Sequence, residues 1–175
     1  MEWLNKIKEK DEVTYSHSLN VSRLCYDFSL FLGKSKAFAE EMKVAGLLHD
    51  IGKLEIPDEV LNKPGKLTDK EYEIMKSHTI YSSSYLTEAT DIVRNVAWGH
   101  HLSFNGNGYP NKSLSGLNIP EECRIAAICD VFEALTAKRQ YKEPMTSNEA
   151  LNLMTNFNQL DPNLFERFKK MMEEK

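Results

Sequence analysis

The chain has 175 residues, a formal net charge of −4, 41% hydrophobic and 27% charged residues, values that fit one soluble globular core and exclude disordered, collagen-like and disulfide-dense classes. The acidic balance excludes a general basic footprint for duplex nucleic acid, and no apolar run approaches the ~20 residues that membrane insertion needs. Cys25, Cys123 and Cys129 have neither the number nor the spacing of a disulfide framework or thiolate zinc site.

These limits, with an N-terminus (MEWLNKIKEK) charged throughout and unlike a signal peptide, predict a single cytoplasmic domain over residues 1–175. Hydrophobic spacing is helical almost everywhere, so the expected fold class is all-α. A first long helix is predicted from about Val13 to Phe31, where His17, Val21, Leu24, Phe28 and Phe31 share a stripe and Gly33 ends it. A second starts at Ser35 as N-cap, carries Phe38, Met42, Ala45 and His49 in line, and closes at Gly52. The connection IPDEVLNKPGKLTDKE leads to Thr68, which forms a capping box with Glu71 for a third helix carrying Ile74 and His78 four apart. Asp91 to His101 reads as a fourth helix with Val93, Val96, Ala97 and His100 on one face. A loop rich in Gly, Asn, Ser and Pro runs from Ser103 to Pro120. Helix returns at Glu121, with Ile125, Ile128, Val131, Phe132 and Leu135 inward and Asp130 beside Ala126, Ala127 and Ala134. After Pro144, Ser147 or Asn148 caps another helix, and DPNLFERFKKMMEEK, with Pro162 in its first turn, makes the last.

Each of the five histidines lies on or beside an inward stripe. For one alone, a core histidine bonded to a backbone carbonyl is the simpler reading. Five together with Asp50 and the mid-helix Asp130 ask for more, because buried carboxylates need a partner. A divalent metal supplies it, and imidazole with carboxylate and no thiolate suits Fe, Mn or Zn. A carboxylate can bridge two ions, so a bimetal site in the core is expected.

HDIGK at His49 to Lys53, IPDEVLNKPGKLTDKEYEIMKSH ending in His78, HHLSFNGNGYP from His100 and DVFEALTAKRQYKEPM from Asp130 follow one another with compatible spacing. Together they resemble the HD-GYP subgroup of the HD phosphohydrolases over nearly the whole chain. The resemblance implies a helical bundle of the HD-domain type. It implies metal ligands His49, Asp50, His78, His100, His101 and Asp130, with Asp50 bridging two ions. Adjacent residues at a helix end point about 100° apart, so His100 and His101 can both reach a cluster placed there. His17 is a further candidate ligand. Some family members hold a third metal through this histidine and a glutamate one turn earlier, but Val13 stands at that earlier position, which favours two metals. Fe or Mn is the expected pair, with Zn, Ni, Co and Mg as other fits.

The implied reaction is hydrolysis of cyclic di-GMP to pGpG or GMP through a metal-bridging hydroxide, which makes Asp50 catalytic. Lys53, one turn on, would neutralise phosphate charge or help protonate the leaving group; its plainer reading is a solvated loop lysine. Arg139 and Lys142 match family positions that contact phosphate or guanine, a task that suits a guanidinium, although from the residues alone both are surface charges. Tyr109 in the Gly108–Tyr109–Pro110 turn would stack on a base or orient the ligand, unless the turn is purely structural. Leu102, Ser103 and Asn105 stand where the family usually has Glu, Arg and Asp, which leaves substrate recognition less defined than metal binding. A catalytically silent binding module, an HD hydrolase of another cyclic dinucleotide or nucleotide, and an oxidising diiron centre remain alternatives. A homodimer and a signalling-protein partner are both open. Many relatives join such a domain to a receiver or sensory module, and none is expected here, so the regulator would lie elsewhere or on a longer chain.

Overall fold

The side chain of Asp11 starts the longest helix by accepting the amides of Val13 at 3.1 Å and Thr14 at 3.0 Å, which satisfies two of the donors a helix start leaves unpaired. This helix, α2 (Glu12–Phe31), ends at Gly33 with φ of 77°, as its glycine predicts. The computed structural model describes residues 2–138 and 143–174, and among these every regular element is helical. Before α2 lies α1 (Glu2–Lys10). After it come α3 (Lys36–Leu48), a 3-10 turn at Ile51–Glu55, α4 (Asp58–Leu61), α5 (Asp69–Lys76), α6 (His78–Tyr85) and α7 (Asp91–Gly99). A second 3-10 turn (Gly116–Asn118) precedes α8 (Glu121–Thr136), α9 (Ser147–Met154) and α10 (Pro162–Glu173). No helix of the described residues is long and apolar enough to cross a membrane.

One core joins Val21, Cys25 and Phe28 of α2, Met42 and Ala45 of α3, Val96 of α7, Ile125 and Ile128 of α8, and Phe168 of α10. Phe168 meets Phe28 and Phe132 edge-on, with ring centroids 5.1 and 5.2 Å apart. Each such side chain contributes about 1.5–3 kcal/mol by leaving water. The α2–α3 pair crosses closely because Gly46 presents no side chain: a Cβ there would sit 3.0 Å from the Ser22 backbone. The three cysteines are buried.

The structure corrects and extends the sequence expectations, beginning with α3, which ends at Leu48 and not at Gly52, a residue of the 3-10 turn. Ser77 separates α5 from α6, so the predicted third helix is two; Ile74 is 42% exposed while His78 is buried, and they share no inward face. Thr146, not Ser147 or Asn148, caps α9, in a capping box with Glu149. The charged N-terminus forms α1, docked by Ile7, by Trp3 stacked on Tyr85, and by Lys10, whose ammonium donates to the carbonyls of Leu54 and Ile56.

The 3-10 turn after α3 lies against α6 with Gly52 at the contact, where a Cβ would run into the His78 carbonyl oxygen and the Ser82 amide. Gly52 also donates its N–H to Ser82 Oγ at 2.8 Å. Gly52→Ala should therefore push α6 away and cost about 1–3 kcal/mol, read as a lowered urea midpoint of the metal-free protein; an unchanged midpoint would show that the two segments part freely.

Candidate metal centre

The site forms where helices end. His49 is the C-cap of α3 and Asp50 follows it; His78 opens α6 just past the end of α5; His100 is the C-cap of α7, with His101 next. His17 comes from α2 and Asp130 from α8. Three of the imidazoles are oriented by backbone. Nδ1 of His49 donates to Gly46 O at 2.8 Å, that of His78 to Met75 O at 2.7 Å, and that of His100 to Val96 O at 2.9 Å. These bonds assign the proton to Nδ1 and leave each Nε2 with a lone pair facing inward, the state in which histidine binds metal.

Asp50, 2% exposed, lies between them. Its Oδ1 is 3.3 Å from His78 Nε2 and 3.7 Å from His100 Nε2. Its Oδ2 is 3.4 Å from His49 Nε2, 3.8 Å from His17 Nε2 and 2.6 Å from the ammonium of Lys53. Asp130 Oδ1 lies 2.9 Å from His17 Nε2 and 3.9 Å from His49 Nε2. The donor atoms fall into two groups, His78–His100–His101 and His17–His49–Asp50, each within 4.8 Å. Among the described residues, the buried Oδ1 of Asp50 has no hydrogen-bond partner. A bare buried acceptor surrounded by imidazole lone pairs is costly, and a divalent cation relieves it, so the residues present fit metal.

Charge states agree. Burial lowers His78 and His100 to about 4, and also lowers His49 and His101, so all four are neutral at pH 7, as ligation requires. Burial opposes the charge of Asp50, yet the Lys53 ammonium holds its carboxyl well below the usual range. The same contest at Asp130 is won by the hydrogen bond from His17. Burial disfavours the His17 cation, but Asp130 and Glu133 outweigh it and raise His17 to about 9 in the metal-free protein.

All seven residues proposed from sequence as ligands therefore meet at one place, and Lys53 lies on Asp50. Tyr109 stands beside His101, ring centroids 4.7 Å apart, and faces Tyr72 at 6.3 Å. Arg139 and Lys142 lie outside the described residues. Sequence reasoning missed Glu133, which is 3% exposed and bonds His17 Nδ1; the signal was a second acid one turn past Asp130 on the same apolar helix. Next to His17 and Glu133 opens a cavity of about 450 Å³, lined also by Lys10, Ser16, Asn20 and Lys138.

The Gly108–Tyr109–Pro110 turn folds back on the histidine pair. Tyr109 donates its N–H to His101 O at 3.1 Å, and a Cβ on Gly108 would collide with that oxygen and the Ser103 amide. Leu102 packs with Ile119 and Cys123. Ser103 Oγ donates to Asn105 Oδ1 at 2.6 Å, and Asn105 Nδ2 to Asn158 Oδ1 at 2.7 Å. The residues that differ from the usual family loop thus brace this loop.

Fold and site define a helical domain with a metal-binding centre built on an adjacent His–Asp pair. The chain belongs to the HD domain family, whose sequence profile matches residues 3–164. It is 37% identical over 171 residues to a cyclic di-GMP phosphodiesterase of Pseudomonas aeruginosa, covering 95% of this chain and 41% of that one. It is 38% identical over 152 residues to 3'3'-cGAMP-specific phosphodiesterase 1 of Vibrio cholerae, covering 86% and 35%. The chain thus spans under half the length of these curated relatives. An HDG"Y"P protein from Bdellovibrio bacteriovorus shares the fold, with a TM-score of 0.73 at 17% identity over 90% of this chain and 51% of that one. The HD-GYP resemblance is borne out.

The histidine shifts set a pH dependence for metal-free protein. Groups lowered to about 4 in the fold but titrating at 6.5 when unfolded make the unfolded chain bind more protons between those values, so stability falls as pH drops through that window. His17, raised from 6.5 to about 9, removes stability as pH rises through its own window. Unfolding free energies from urea titration of chelator-treated protein should therefore peak near pH 6.5 and fall by a few kcal/mol on the acid side, at about 1.4 kcal/mol per unit of difference. A flat profile from pH 4 to 6.5 would refute the buried neutral histidines.

Proposed function

We propose that the chain is a metal-dependent phosphodiesterase that hydrolyses cyclic di-GMP to pGpG or GMP in the cytoplasm. The observation that carries this reading is the placement of Asp50, whose two oxygens face separate sets of imidazole nitrogens. His17, His49 and Asp130 would hold one divalent ion, His78, His100 and His101 the other, and Asp50 both. The donors suit Fe or Mn, with Zn, Ni, Co and Mg as other fits. Such a pair supplies Lewis acidity towards phosphorus and acidifies water.

The chain's own residues supply the rest. Lys53, 21% exposed and bonded to Asp50 Oδ2 at 2.6 Å, fixes that carboxylate and offers a cation and a proton towards the departing oxygen. Tyr109 offers an aromatic face beside His101 for a guanine. Arg139 and Lys142, just beyond Lys138 in the sequence, are assigned to phosphate and guanine. The cavity against His17, with Lys138 on its wall, suits entry of an anionic ligand. A second reading, hydrolysis of 3'3'-cGAMP or another cyclic dinucleotide, is favoured by the Vibrio cholerae relative and by the uncharged loop at Leu102, Ser103 and Asn105.

Anaerobic loading with Fe(II) or Mn(II), followed by chromatography of cyclic di-GMP and 3'3'-cGAMP digests, tests both. The unaltered protein should bind two equivalents and release linear or mononucleotide product. Asp50→Ala should lose bound metal and depress turnover by more than the ~10–100-fold typical when a residue behind a ligand is changed; retention of two equivalents would disprove bridging. Uncut dinucleotides with metal in place would favour a silent binding module. Arg139→Ala should weaken dinucleotide affinity by about 10–100-fold, the worth of one charged hydrogen bond at ~1.5–3 kcal/mol, with metal content unchanged. Equal affinity would return Arg139 to the surface.

A further inference from the structure

His17 is held differently from the other oriented imidazoles. His49, His78 and His100 direct Nδ1–H at carbonyls of their own chain segments. His17 directs its Nδ1 at a carboxylate from another helix, Glu133 Oε2. The second oxygen of Glu133 accepts the side-chain amide of Asn20 at 2.9 Å, and Asn20 lies one turn after His17 on α2. Asn20 thereby fixes the rotation of the carboxylate, and the carboxylate fixes the ring. The far nitrogen of that ring, Nε2, lies 2.9 Å from Asp130 Oδ1, to which the metal-free imidazolium donates, 3.3 Å from His49 Nε2 and 3.8 Å from Asp50 Oδ2. Glu133 is 3% exposed, a depth at which glutamate is rare unless paired.

We infer that Glu133 is a positioning residue of the metal centre: it locks His17 with its proton on Nδ1, so that the Nε2 lone pair is presented to the ion shared with His49, Asp50 and Asp130. This rests on the two-ion reading proposed above. A backbone carbonyl only orients an imidazole, whereas a carboxylate also places negative charge behind the ring and strengthens Nε2 as a donor. The centre is consequently asymmetric. The ion on the His17 side depends on a charge from α8, and the ion on the His78–His100–His101 side does not.

Mn(II) titration of the chelator-treated full chain against a competing chelator indicator, with the electron paramagnetic resonance of bound Mn(II) and the metal-free thermal midpoint recorded in parallel, reads this directly. Glu133→Gln keeps the shape and removes the charge. It should weaken one of two sites by about 10–100-fold, alter the Mn(II) spectrum of that site, and leave the other site unchanged. Asn20→Ala should weaken the same site by less. In a His17→Ala background, Glu133→Gln should add no further loss. Unchanged affinity in Glu133→Gln while His17→Ala loses a site would overturn the inference and leave the two-ion reading standing. A loss that persists without His17, or that follows a collapsed thermal midpoint, would mark Glu133 as structural and also overturn it. Two unaltered sites in His17→Ala would remove His17 from the ligands, and Glu133 from its role with it.

Discussion

A carboxylate sealed among imidazoles is the constraint on which the rest of the structure turns. Asp50 keeps its charge despite burial, and among the described residues the ammonium of Lys53 answers only one of its oxygens. The other oxygen, Oδ1, is a buried acceptor that costs free energy when left without a donor, and the imidazoles of His78 and His100 that face it do not relieve it. Their ring protons are committed to backbone, so around Oδ1 of Asp50 the fold arranges lone pairs against a lone pair. Such an arrangement is unfavourable by itself and favourable around a cation, which links metal to fold stability as well as to chemistry.

The commitment of those ring protons follows from helix geometry. The last turn of every helix leaves carbonyls that the helix cannot satisfy. Gly46 lies in the last turn of α3, Met75 in that of α5 and Val96 in that of α7, and these are the carbonyls that accept His49, His78 and His100. One set of bonds therefore ties three histidines to helix ends, selects three tautomers and aims three Nε2 atoms around Asp50. Gly52 and Gly108 complete the arrangement from outside, each allowing backbone to press on a histidine-bearing segment where any side chain would intrude.

Much of this was legible in the sequence because the chemistry is written in residue types that rarely lie inside. His49, Asp50, His78, His100, His101 and Asp130 could be gathered before any coordinates, as could the ends of α2 at Gly33 and the capping box at Thr68. Spacing misled where local geometry outranked periodicity. Ile74 and His78 fit a helical step of four, yet the chain turns at Ser77, and Ile74 faces solvent. The first helix escaped because only Trp3 and Ile7 mark its inner face among many charges, and its docking depends on a lysine reaching distant carbonyls. Glu133 escaped because a glutamate on a helix is ordinarily a surface residue; only the crossing of α8 against α2 shows that it faces His17.

Under the proposed function, electrostatics would tie an anionic ligand to metal. Without ions, the centre gathers the carboxylates of Asp50, Asp130 and Glu133 against Lys53 and a His17 that titrates at about 9. That balance, on a chain of net charge −4, repels a phosphodiester rather than drawing it in. Two divalent ions, as proposed, would add four positive charges at the same point and reverse the sign. On that reading, occupancy by metal and affinity for an anionic ligand would be coupled, and linkage makes such a coupling reciprocal. The neutral loop of Leu102, Ser103 and Asn105 fits such a centre: with attraction supplied at the ions, the loop need not carry charge, and its polar groups are free to brace the Tyr109 turn against His101.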